Sequence, residues 1–169
     1  MVRPRWLFAL GVLLALAGCR GTPVGTSTVD RADEAGCWTP ARHRGEQADF
    51  ATRLRGEGFA VERIAEASLP FPRTFGALLH LSGGALAEPA RLQVYTDDPT
   101  LAAADAERVQ PDTTIRWTEP DGSVQMISYM WVAPPHFFRR ERVLVLYAGT
   151  DPAVLALLTS LLGPQFAGR

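Results

Sequence analysis

Arg142-Val143-Leu144-Val145-Leu146-Tyr147-Ala148-Gly149-Thr150-Asp151-Pro152 is the stretch on which the fold turns. Residues 143–147 are apolar at odd and even positions alike. A strand sends successive side chains to opposite faces, so this one is apolar on both and belongs in the centre of a sheet. Gly149 ends it. Asp151 then offers a carboxylate to an orphan N–H of a following helix, and Pro152 loses no hydrogen bond at the first helical position. Val154, Leu157, Leu158, Leu161 and Leu162 give that helix a broad apolar face, which Gly163-Pro164 terminates.

The same phrase occurs earlier, as Leu92-Gln93-Val94-Tyr95-Thr96-Asp97-Asp98-Pro99. Again a strand reaches a Tyr and enters an Asp-Pro helix, here continued by Leu101 to Val109 and followed by Pro111. The rhyme has two readings: an old ββα duplication, or simply the frequency with which Asp-Pro opens helices. Residues 75–81 and 91–95 read as paired strands joined through Gly83-Gly84 and Pro89. Phe59 to Ile64 reads as a first strand, and Leu69-Pro70-Phe71-Pro72 is held extended by its prolines. Glu46 to Gly56, with Ala48, Phe50, Ala51 and Leu54 on one side, reads as an amphipathic helix. Ile115–Thr118 and Val124–Val132 flank the turn Glu119-Pro120-Asp121-Gly122, in which Pro presets φ and Gly accepts a positive one. These elements predict an α+β domain over residues 45–169, an antiparallel sheet of five or six strands with about three helices packed mainly on one face.

Composition bounds what such a domain can be. Mean hydropathy is +0.01, against a protein that spans the membrane repeatedly, and 17 basic residues balance 18 acidic ones, against a general nucleic-acid footprint. Every basic residue is arginine, asparagine is absent and isoleucine occurs three times, a pattern that follows GC-rich codon usage. Heat-adapted proteins also avoid asparagine, but they gain lysine.

The N-terminus is an address. Arg3 and Arg5 precede an apolar run from Trp6 to Ala17. As a helix it would be about 18 Å long, short of a hydrocarbon core of about 30 Å, which suits a secretion signal better than a permanent anchor. It ends in Leu16-Ala17-Gly18-Cys19, which resembles, residue for residue, the lipobox of bacterial lipoproteins. The resemblance implies removal of residues 1–18, a diacylglycerol on the Cys19 sulfur and an acylated amino group. Two or three acyl chains make dissociation from a bilayer negligible, whereas one holds only marginally. Losing Arg3 and Arg5 takes the formal charge from −1 to −3, so lipid rather than charge attraction would hold the body at the bilayer. Arg20 in place of Asp after the cysteine fits, by analogy with lipoprotein sorting, an outer membrane. Residues 19–44, rich in Gly, Pro, Ser and Thr and without hydrophobic period, read as the lipidated end and a linker reaching about 25–30 Å. Cys37 has no second thiol in the chain to pair with once Cys19 is alkylated, which leaves it as a buried thiol, an intermolecular bridge or a site inert by burial. His43, six residues on in an Arg-rich stretch that reads as mobile, is not the ordered partner a metal site wants.

Chemistry is harder to find. The chain contains no Gly-x-Ser-x-Gly, no His-Glu-x-x-His, no P-loop and no dinucleotide fingerprint. Asp98 and Asp151 are better used as helix openers than as an acid/base pair, Asp121 belongs to a turn, and His80 sits on the outward side of a strand. The remaining cluster is Trp131-Val132-Ala133-Pro134-Pro135-His136-Phe137-Phe138-Arg139-Arg140-Glu141-Arg142. As a loop between apolar strands, it offers Trp131, His136, Phe137, Phe138, Arg139 and Arg140 as a preorganised binding patch, in which prolines cut ordering entropy and arginines grip carboxylate or phosphate. The plainer reading is a rigid connection whose rings finish the core and whose arginines are solvated.

The motif Trp131-x-Ala133-Pro134-Pro135-His136-Phe137, the strand and Asp-Pro helix after it, and Leu162-Gly163-Pro164-Gln165-Phe166-Ala167-Gly168 are similar to a group of small uncharacterised bacterial lipoproteins and secreted proteins. The likeness is close over 131–168 and loose over 46–169. That group often has Tyr at the position of Phe138 and a shorter segment than residues 110–130. It implies an envelope location and a single small domain, and carries no reaction. The expectation is therefore a non-catalytic, lipid-anchored envelope protein without cofactor or metal. Its partners would be the bilayer, through Cys19, and another envelope protein, a peptide or a small ligand. The alternatives are a structural lipoprotein and a small enzyme using His136 as acid or base.

Overall fold

A computed structural model describes residues 40–67, 69 and 76–168. The leader, Cys19, the linker to residue 39, Cys37 and the proline-held stretch beyond Leu69 lie outside the described residues. The elements run α1 (Pro40–Gly56), β1 (Ala60–Ala67), β2 (Gly76–Ser82), β3 (Ala90–Thr96), α2 (Pro99–Arg108), β4 (Ile115–Thr118), β5 (Val124–Ile127), β6 (Pro135–Arg140), β7 (Val143–Ala148), α3 (Pro152–Leu162) and β8 (Ala167–Gly168). Six strands form one antiparallel sheet in the order β1-β2-β3-β7-β6-β8, and β4-β5 form a separate hairpin. The fold is α+β.

Strand β7 lies inside the sheet, as its two apolar faces require. Val145 and Tyr147 enter one core, with Phe50, Leu54, Val154, Leu158 and Leu162 of α1 and α3. Leu144 and Leu146 enter the other, with Ala106 of α2, Ile115 of β4 and the half-buried Trp117, Ile127, Tyr129 and Trp131. Both faces of the sheet are therefore covered. Two helices share one face, and the third, with the β4-β5 hairpin, takes the opposite one.

Both Asp-Pro openings form as the sequence predicts. The Asp98 side chain accepts from the Thr100 N–H and that of Asp151 from the Ala153 N–H. Gly163 closes α3 at φ 89°, a left-handed value open to glycine. The repeat does not extend to the architecture. Register pairs Leu92 with Tyr147 and Tyr95 with Leu144, so the equivalent tyrosines point to opposite faces, each toward its own helix. A two-fold rotation that superposes the two hairpins would leave α2 and α3 on opposite sides, which favours the plainer reading of the rhyme.

Three expectations need correction. Helix α1 begins at Pro40, not Glu46, and carries His43 and Gln47 into the core at 6% and 3% exposure. The buried series His43, Gln47, Phe50 and Leu54 extends the helical period back into residues assigned to the linker. The strand after the 119–122 turn ends at Ile127, not Val132. Finally, residues 135–140 are not a loop: they are β6, the partner of β7, joined to it by a two-residue turn at Glu141 (φ 50°) and Arg142.

Candidate functional site

Because β6 is a strand, the expected patch is taken apart. Phe137 and Phe138 are neighbours, so they face opposite ways, and their exposures are 0% and 1%. Phe138 joins the core under α1 and α3, while Phe137 lies among the residues packed beneath α2 and the hairpin. Trp131 stands edge-on to Phe137, ring centroids 6.0 Å apart, and donates its indole N–H to Thr113 Oγ1 at 3.1 Å. Arg139 and Arg140 remain exposed. Arg140 donates to the Leu161 carbonyl at 3.0 Å, at the negative end of α3. Of the six residues only these two arginines present themselves to solvent fully, so the six do not act as one contact surface.

His136 is 5% exposed. Its Nδ1 lies 2.6 Å from Gln165 Oε1, and its ring stacks on Tyr147 with centroids 6.1 Å apart. Nε2 is buried without a hydrogen-bond partner. Among the described residues no carboxylate bonds to the ring, and its hydrogen-bonded partner is the Gln165 amide instead. Among the described residues no three His, Cys, Asp or Glu side chains gather as metal ligands.

A polar cluster that the sequence did not point to ties α1 to the sheet. His43 Nδ1 meets the Thr96 carbonyl at 2.5 Å, Thr96 Oγ1 donates to the His43 carbonyl, and Arg142 pairs with Glu46 at 3.1 Å. Beside them Asp97 is buried, and burial pushes its carboxyl upward from the usual range. The Asp98 N–H, donating to Asp97 Oδ1 at 2.8 Å, and nearby His43 oppose that shift. These groups hold the N-terminal helix in place.

Two concavities on the described surface are large enough to matter here. The larger, about 790 Å³ and widely open, runs between the β2–β3 connection (residues 85–91) and the end of β7 with the first turn of α3 (residues 147–153). Glu88, Arg91 and Asp151 supply its charges, and Tyr147 forms part of its wall and accepts from the Asp151 N–H at 3.1 Å. Its size falls in the range of ligand sites. The smaller, about 140 Å³, lies between α1 and the β1-β2 edge of the sheet, with Arg44, Arg55 and Arg63 around it. No protein-family description, curated protein or solved structure matches the chain.

Proposed function

We propose that this chain is a lipid-anchored protein of the bacterial envelope, acylated on Cys19, whose folded body acts by binding rather than by catalysis. The observation that carries the reading is Leu16-Ala17-Gly18-Cys19 at the end of an apolar run too short to span a bilayer. The body then sits at the extracytoplasmic side of a membrane. There the groove between residues 85–91 and 147–153 is large enough for a small ligand or a peptide segment. A second reading, an envelope protein whose fold is its whole function, draws support from the burial of Phe137 and Phe138, which spends on packing the rings that a contact patch would expose.

Mass spectrometry of the protein recovered from membranes tests the anchor. The expected mature chain starts at Cys19 and carries diacylglycerol on sulfur, and a Cys19→Ala variant retains its leader and lacks lipid. An unmodified thiol at residue 19 in membrane-recovered protein refutes the proposal.

A further inference from the structure

The recess beside α1 is built from an unusual pairing of residues. Its floor is Ala51 of α1 with Ala77 and Leu79 of β2, all buried, beside the buried amide of Gln47, and the small alanines leave the space open. Its rim is Arg44 and Arg55 of α1 and Arg63 of the edge strand β1. Arg63 pairs in register with Leu79, so it lies on the helix-covered side of the sheet, exposed at its edge. Directly after it the register shifts and Ile64, 42% exposed, is turned outward. A bulge of this kind re-aims side chains, and here it leaves an exposed arginine on the helix-covered side of the edge strand and an exposed isoleucine beyond it.

Among the described residues the three cations have no carboxylate partner, not even Glu62 and Glu66 of the same edge strand. Arg55 donates to the Val61 carbonyl at 2.9 Å. Charge of one sign over a largely apolar floor is complementary to an anion with an apolar body. A cavity of about 150 Å³ holds a benzene ring, so 140 Å³ admits a body of that size and little more. Guanidinium forks match the paired oxygens of carboxylate and phosphate.

We propose that this recess is a binding site for a small amphiphilic oxyanion, a carboxylate or phosphate ester on an apolar body about one ring in size, held by Arg44, Arg55 and Arg63. The site does not depend on the lipid anchor. Calorimetric titration of the full-length chain against a micelle blank, with benzoate, phenyl phosphate, benzyl alcohol and acetate, tests it. Saturable binding of benzoate or phenyl phosphate is expected, with benzyl alcohol and acetate weaker by at least about tenfold, because each lacks one half of the recognition. The tighter of the two aromatic anions identifies carboxylate or phosphate as the head group. An Arg44→Gln/Arg63→Gln variant should weaken that binding at least about tenfold with the melting curve retained, and added salt should weaken it in the native chain. Ala48→Leu, on the exposed side of the same recess, should weaken it by filling the space. Failure of both aromatic anions to saturate, or equal binding of benzyl alcohol, or undiminished binding to the double arginine variant, overturns the proposal.

Discussion

Gly76→Ala is the substitution whose cost the structure specifies most sharply. Gly76 opens β2 and pairs in register with Tyr95 of β3 and Ala67 of β1. A Cβ added there would lie 2.4 Å from Tyr95 Cε1, 2.7 Å from its Cδ1 and 2.8 Å from the Ala67 methyl carbon. Carbon atoms settle at about 3.5–4.0 Å, so something must move by about 1 Å. The Tyr95 ring, 2% exposed, is locked in the core beneath α2, and its hydroxyl donates to Gln93 Oε1 at 2.7 Å. Overpacking of this kind costs about 1–3 kcal/mol, and displacing the hydroxyl from Gln93 adds about 1 kcal/mol. Removing a glycine from the unfolded chain returns about 0.4–1 kcal/mol. The expected net loss is about 2–3 kcal/mol, a fall in melting temperature of about 10 °C for a body of this size. Urea denaturation followed by tryptophan fluorescence measures it. The same substitution in a Tyr95→Val background, where only the Ala67 methyl still meets the new carbon, should cost about 1 kcal/mol, a coupling of about 1–2 kcal/mol between the two sites. An equal cost in both backgrounds, or a neutral Gly76→Ala in the native chain, refutes the close-approach argument.

Three further expectations follow from the same geometry. Phe137→Ala and Phe138→Ala should each lose about 3–5 kcal/mol of stability, while Arg139→Ala changes it by less than about 0.5 kcal/mol; denaturation curves in which the phenylalanines prove dispensable would restore the exposed patch. Asp98→Ala and Asp151→Ala should each cost about 1 kcal/mol, because each leaves a first-turn N–H without its acceptor; the same curves report it, and unchanged midpoints count against both caps. Asp97 governs a pH response. Burial raises its folded-state pKa above the unfolded value, so its contribution is most favourable below the unfolded pKa and is lost as pH climbs through the folded one. Asp97→Asn keeps the acceptor for the Asp98 N–H and should be more stable than the native chain at neutral pH. The gap should close on acidification through the carboxylate range, and a gap independent of pH removes Asp97 from the account.

Much of this was open to a reader of the sequence. A run of five residues, apolar at every position, rich in valine and closed by glycine, reads as a strand with a core on each side, and Val143–Tyr147 is one. Asp-Pro before an apolar helical period names a helix start within a residue, as at Pro99 and Pro152. Glu119-Pro120-Asp121-Gly122 turns as its residues dictate: the Gly122 N–H bonds the Glu119 carbonyl, and Asp121 Oδ1 accepts from the Ser123 N–H. These are local signals, in which a residue and its near neighbours carry the whole physical cause.

What the tertiary structure decided is non-local. Residues 135–140 became the partner of β7 because two phenylalanines, adjacent in sequence, fill two separate cores, and neither core exists until the helices and the hairpin close over the sheet. The start of α1 was hidden because His43 and Gln47 look solvent-bound until Thr96, over fifty residues away, supplies a buried partner for the imidazole. The arginine recess has no sequence signature at all. Arg44, Arg55 and Arg63 converge through the packing of a helix on an edge strand and a one-residue slip in register, and an exposed arginine on the helix-covered side of that edge reads the same, letter by letter, as one on the other side.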